Sequence, residues 1–139
     1  MVACHIYRQL PDEAKRIREQ VFIKEQGFEN EFDQTDEQAV HIVVFSGEQA
    51  AGTGRVYWDD ALDSWVIGRV AVLPEYRKLR IGAEILSCLE DWLKQKGAKT
   101  VMISAQCQAR GFYEKCGYTA FGVSYLDEEC PHIRMKKEL

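Results

Sequence analysis

The chain has 139 residues, 46% hydrophobic and 11% aromatic, which suits one domain with a substantial core of its own. Eighteen Lys and Arg stand against 22 Asp and Glu, a formal charge of −4, so the global basic balance of a nucleic-acid binder is missing. The longest apolar runs, such as Ile42-Val43-Val44-Phe45, are far too short to span a bilayer, and no signal-peptide pattern opens the chain, so a cytoplasmic location without a membrane partner is expected.

In chain order, residues 3–7 read as a strand. Residues 11 to about 26 read as a helix with proline in its first turn, Ala14, Ile17, Val21 and Phe22 at helical spacing, and Gly27 at its end. A polar, acidic connector runs through Asp36. Three strands follow at 39–45, 51–58 and 64–73, separated by Ser46-Gly47 and Asp59-Asp60 as hairpin turns, so an antiparallel arrangement is expected. Ile81, Ile85, Leu86, Leu89, Trp92 and Leu93 then form one face of a helix that stops near Gly97. A buried strand at 100–104, a helix at 109–116 and a closing pair of strands at 118–123 and 132–136 complete the chain. No linker, internal repeat or low-complexity segment interrupts it. The order implies one α/β domain over 1–139, with a mixed sheet and helices on both faces.

The most telling stretch is Val70-Ala71-Val72-Leu73-Pro74-Glu75-Tyr76-Arg77-Lys78-Leu79-Arg80-Ile81-Gly82-Ala83, a strand running through a basic turn into a helix. Unpartnered N–H groups in the first turn of a helix, aided by the helix dipole, bind phosphate oxygens, and Arg77, Lys78 and Arg80 add positive charge beside them. Neither G-x-x-x-x-G-K-[ST] nor a strand-linked G-x-G-x-x-G occurs, which argues against a nucleotide-binding α/β domain. The expected ligand carries a pyrophosphate of another kind.

At this turn the sequence resembles the GNAT superfamily of acyl-CoA-dependent N-acyltransferases, whose pattern Q/R-x-x-G-x-G/A is met at Arg77 and Gly82 and departed from at Arg80, where glycine is usual. Arg80 fits if the turn needs only right-handed helical angles. A second stretch, Gln106-Cys107-Gln108-Ala109-Arg110-Gly111-Phe112-Tyr113-Glu114-Lys115-Cys116-Gly117-Tyr118, resembles the family's N-x-x-A-x-x-F-Y-x-x-x-G-F/Y helix. Val21-Phe22-Ile23-Lys24-Glu25-Gln26, then Glu31, Asp33, Asp36, Ala39 and His41, and Pro131-His132-Ile133-Arg134-Met135 resemble the ElaA/YjcF-like branch.

The resemblance implies a GNAT-like fold whose central strands splay apart, with acetyl-CoA as co-substrate. Val70, Ala71 and Val72 would offer backbone groups to the pantetheine amides, and residues 77–83, including Leu79, Ile81 and Ala83, would cradle the pyrophosphate. The alternative for 70–72 is a plain buried strand. Tyr113 would protonate the departing thiolate, or simply pack with Phe112. Gln106 would meet pantetheine or an ordered water, or cap its helix. His41 and His132 are both candidates for the base, imidazole being suited to proton transfer near neutrality. Glu25, Glu31, Asp33 and Asp36 would draw a cationic acceptor, or form a solvated loop.

The partner is a small-molecule or peptidyl amine, and a homodimer is left open. The alternative to an enzyme is a non-catalytic CoA-binding module of the same fold. Cys4, Cys88, Cys107, Cys116 and Cys130, odd in number and without a C-x-x-C pair, read as reduced thiols, with Cys88 and Cys116 in packing roles. Their spacing offers no zinc site, so no metal is expected.

Overall fold

Val40, Ile42 and Val44 bury one side of a strand and His41 and Val43 bury the other, so this strand is covered on both faces. The computed structural model describes residues 2–29 and 31–139. Its strands are β1 (Val2–Tyr7), β2 (Val40–Ser46), β3 (Gln49–Asp59), β4 (Ser64–Val72), β5 (Thr100–Gln106), β6 (Thr119–Asp127) and β7 (Cys130–Glu138). Its helices are α1 (Asp12–Arg18), α2 (Thr35–Gln38), α3 (Ile81–Gln95) and α4 (Arg110–Lys115). The strands form one mixed sheet in the order β1-β2-β3-β4-β5-β7-β6. The three-strand antiparallel meander expected from the turns is present as β2, β3 and β4.

On one face lies α3, whose Ile81, Ile85, Leu86, Leu89, Trp92 and Leu93 are all buried, as their spacing requires. A Cβ on Gly52 or Gly54 of β3 would come within 2.8 Å of Ile85, so these glycines let the helix settle against the sheet. Ala14, Ile17, Val21 and Phe22 cover the other face through Val43 and Ala71. The first helix differs from the sequence expectation. Pro11 stands just outside it as the N-cap, and after Arg18 the chain widens into π-helical turns over Glu19–Glu25. Gln26 N donates to Val21 O at 3.1 Å, and the wider turn brings the sequence neighbours Val21 and Phe22 into the core together.

Cys4 of β1 and Cys88 of α3 form a disulfide, which corrects the reading of all five cysteines as reduced thiols. The partners are 84 residues apart in sequence, and only the packing of α3 against the sheet brings them together. The remaining cysteines are free. Cross-links typically stabilise by about 2–4 kcal/mol, more for long loops, because they restrict the unfolded chain. Cys4→Ser should lower the stability measured in urea by that amount without changing far-UV dichroism at neutral pH. An unchanged urea midpoint would mean that the cross-link contributes nothing to stability.

Candidate active site

β4 and β5 run parallel but pair only at Val66↔Met102 and Ile67↔Ile103, after which they part. A bulge in β4 between its pairings with Arg55 and Thr53 holds Arg69 at φ 52° and redirects the strand where the separation begins. Beyond it, Ala71 and Val72 pair with Thr53 and Gly52 of β3 on one edge, with no β5 pairing on the other. The gap opens into a cleft of about 1000 Å³.

The cleft brings together Val70, Ala71, Val72, Arg77, Lys78, Arg80, Ile81, Gly82, Ala83, Gln106, Tyr113, His132 and Glu31. Leu79 points away and is 57% exposed. Among the described residues no side chain caps the first turn of α3, so none of them competes there for the helix amides. Arg80 takes φ 63° and ψ 19°, which corrects the expectation of right-handed angles: the turn needs the left-handed conformation that glycine adopts freely. Arg80→Gly should raise Tm by about 2–4 °C by relieving roughly 1 kcal/mol of strain, read by thermal denaturation. An unchanged or lower Tm would mean that the arginine is not strained there. At Gly82, a Cβ would meet Phe112 Cζ at 2.9 Å, so the aromatic ring, besides any ligand, restricts this position.

Tyr113 is buried on α4, edge-on to Phe112 and Tyr118 with ring centroids 5.0 and 6.0 Å away, and burial pushes its hydroxyl pKa well up. The sequence reading missed what holds this helix. Lys137 Nζ donates to Cys116 O at the helix end (2.9 Å) and to Glu90 Oε1 (2.8 Å), while Tyr118 donates its hydroxyl to Glu90 Oε2 (2.8 Å). Gln106 stands at the N-cap position of the turn over Cys107–Ala109, without a side-chain cap hydrogen bond. Its Nε2 donates to Gln26 Oε1 at 2.8 Å, and its Oε1 accepts from Gln108 Nε2 at 2.9 Å.

The two histidines separate. His132 Nδ1 donates to Cys130 O at 2.8 Å, which fixes the neutral tautomer with its lone pair on Nε2, and the ring lies at the cleft beside Tyr125. Ser104 and Tyr125 share a hydroxyl–hydroxyl contact nearby. His41 is fully buried, pairs with Arg55 in the β2–β3 register, and donates Nε2–H to Asp36 O at 2.9 Å. Burial lowers its pKa. It anchors the connector and does not line the cleft.

The acidic series also divides. Glu25 pairs with Arg77, which holds its carboxyl below the usual range. Glu31, Asp33 and Asp36 meet Arg18, Arg55 and Arg69, three cations for three anions. Arg18 is buried, with Nε 2.7 Å from Glu31 Oε1 and Nη1 2.8 Å from Asp36 Oδ1. Arg55 Nη1 reaches both Asp33 and Asp36 at 2.8 Å. Glu31, Asp33 and Asp36 thus belong to an ion network that fixes the connector, and of that network Glu31 and Arg69 line the cleft. A sequence signal existed: Arg18 follows Ile17 in the amphipathic pattern, and Arg55 alternates with Thr53 and Tyr57 along β3.

The site is an incomplete sheet edge beside an uncapped helix start, with a buried tyrosine and a tautomer-fixed histidine on the cleft walls. A family model described as an acetyltransferase (GNAT) domain matches residues 8–139, and the chain belongs to that family. It is 37% identical over 133 residues to the uncharacterized N-acetyltransferase YjcF of Bacillus subtilis (strain 168), covering 94% of this chain and 93% of the relative. The crystal structure of Escherichia coli ElaA is similar with a TM-score of 0.86 at 26% identity, covering 99% of this chain and all of ElaA (100%). An acyl-CoA N-acyltransferase from Pseudomonas aeruginosa shares the fold at TM-score 0.81 and 22% identity, over 99% of this chain and 98% of its own. Among the described residues, no helix is long and apolar enough to cross a membrane.

Proposed function

We propose that this chain transfers an acetyl group from acetyl-CoA directly to a primary amine. The observation that carries the reading is the parting of β4 from β5 at Ile67 and Ile103, which leaves one edge of residues 70–72 without a strand partner just before the uncapped start of α3. Such an edge offers N–H and C=O groups to the pantetheine amides in the manner of another strand, and the helix start offers amides and positive potential to the pyrophosphate. Lys78 and Arg80 add charge beside it.

His132 is the proton acceptor in this reading, through Nε2. It takes one proton from the acceptor's ammonium, leaving a neutral amine that forms the new C–N bond as the thioester C–S bond breaks. A backbone N–H at Ala71 or Val72 meets the carbonyl oxygen as charge develops on it. Tyr113 faces the departing sulfur. Because burial raises its pKa, it shares a hydrogen bond with the thiolate more than it surrenders its proton; the second proton of the amine, lost as the tetrahedral intermediate collapses, passes to the thiolate, and the balance is an amide, CoA thiol and the one proton taken up by His132. Of the four sequence-read carboxylates Glu31 alone lines the cleft, together with Asp127 and Glu128 of the β6–β7 turn, which the sequence reading did not single out.

The test is turnover of acetyl-CoA over a panel of polyamines, amino acids, aminoglycosides and peptide N-termini, read as free thiol. Amine-dependent thiol release supports the reading. Tight CoA binding without release for any amine would instead support a binding module.

A further inference from the structure

Residues 25–29 run along the rim of the cleft, and their polar attachments land on three different walls. Glu25 receives Arg77 as a two-pronged pair, Nη1 to Oε2 at 2.7 Å and Nη2 to Oε1 at 2.6 Å, while Arg77 Nε donates to Val72 O at 3.1 Å. Arg77 follows β4. Gln26 Oε1 accepts from Gln106 at the end of β5, and Gln108 steadies Gln106 from behind. Glu29 N donates to Glu128 Oε1 in the β6–β7 turn at 3.2 Å. Phe28 closes the segment inward, with N–H to Phe22 O at 2.8 Å and its ring edge-on to Phe22. Consecutive residues of one segment therefore fasten the two lips of the opening between β4 and β5, and the π-helical turns before them aim the side chains there.

We propose that residues 25–29 are a strap that retains the cofactor, and that Arg77 and Gln106 are positioning residues holding it shut, not ligands of phosphate and pantetheine. The inference rests on reading the cleft as an acyl-CoA site. Arg77 has its fork filled by a carboxylate and its Nε by a backbone carbonyl, so an approaching pyrophosphate meets a neutral pair. Lys78 and Arg80 make no ion pair among the described residues, and the phosphate charge falls to them. Glu25, placed at the acceptor site by its sequence context, acts on cofactor release instead.

CoA itself is the probe, with its dissociation rate measured by stopped flow and its affinity by calorimetry. Both Glu25 and Arg77 side chains are about two-fifths exposed, so single variants keep the fold. Glu25→Gln, Arg77→Gln and the double variant should all release CoA faster, by about two- to fivefold, the range available to an exposed ion pair, with the double no worse than either single. Arg77→Lys should behave like Arg77→Gln, because lysine keeps the charge and loses the fork. Gln26→Ala should speed release through the other anchor. The proposal is overturned if Arg77→Gln weakens CoA tenfold or more while Glu25→Gln is neutral or tightens it and Arg77→Lys matches the parent; Arg77 is then a phosphate ligand. Parental release rates in all five variants overturn it as well. A parent chain that binds no CoA removes the acyl-CoA reading and the strap's retaining role with it.

Discussion

Tyr113→Phe should lower kcat by about 10- to 100-fold while leaving the dissociation constant for CoA within a factor of two, an expectation scaled from hydrogen bonds to charged groups. Phenylalanine keeps the ring packing with Phe112 and Tyr118, so α4 has no reason to move. Only the hydroxyl is lost. A thiolate is already a competent leaving group, which holds the effect below the full range of general-acid catalysis. The same logic predicts a pH dependence: the hydroxyl stays protonated through the working range, because burial raises its pKa, so the loss should be similar from pH 6 to 9. Single-turnover kinetics at saturating acetyl-CoA separate chemistry from release. Parental kcat in the variant would make Tyr113 a packing residue, and loss of CoA affinity with kcat intact would make its hydroxyl a cofactor contact.

Arg18→Met should destabilise the fold by about 3–5 kcal/mol at pH 7, measured by urea denaturation. Methionine fills much of the volume, but Glu31 loses the donor at 2.7 Å and Asp36 the donors at 2.8 and 3.1 Å. Both carboxylates remain buried. The cation also sits 4.8 Å over the ring of Phe32, and methionine brings no charge to replace that attraction. Acid stability gives an independent readout. Arg18 and Arg55 overcome burial and hold Asp36 down to about 2, against an ordinary value of 3.8. The stability this contributes, on the order of 2 kcal/mol, is present above about pH 4 and disappears as pH falls through 2. Asp33 is lowered as well, whereas burial raises Glu31, whose protonation favours the folded state as pH falls. In Arg18→Met the acid transition should therefore move to higher pH. A destabilisation below about 1 kcal/mol would show that water replaces the guanidinium at no great cost.

Much of the architecture was legible because it depends on periodicity. Six apolar positions of α3 specified its buried face, and the turns at Ser46-Gly47 and Asp59-Asp60 specified the meander. The basic turn before α3 and the Tyr113 helix border one cleft. What escaped were pairings between side chains far apart in the chain. Cys4 meets Cys88 only after α3 has packed, and Glu31 and Asp36 meet Arg18 only after the connector has folded over β3. Net charge hides such clusters, since three acids and three bases cancel in the sum. His41 shows the same limit: alternation buried it, but only the position of Asp36 O gave its ring a partner away from the cleft.

The pairing of β4 with β5 at just two positions bears on how a ligand enters. The two halves of the sheet, β1 to β4 and β5 to β7, are joined less by their ladder than by the apolar layer beneath them, where Ile42, Ile67 and Ile85 belong to the same cluster as Ile103 and Met135. Backbone ladders are directional and fail abruptly when stretched, whereas apolar packing tolerates small slides. Admission of a slender guest between the halves therefore ruptures no interstrand bond; hydration water leaves the open edge, and the guest's amides take its place.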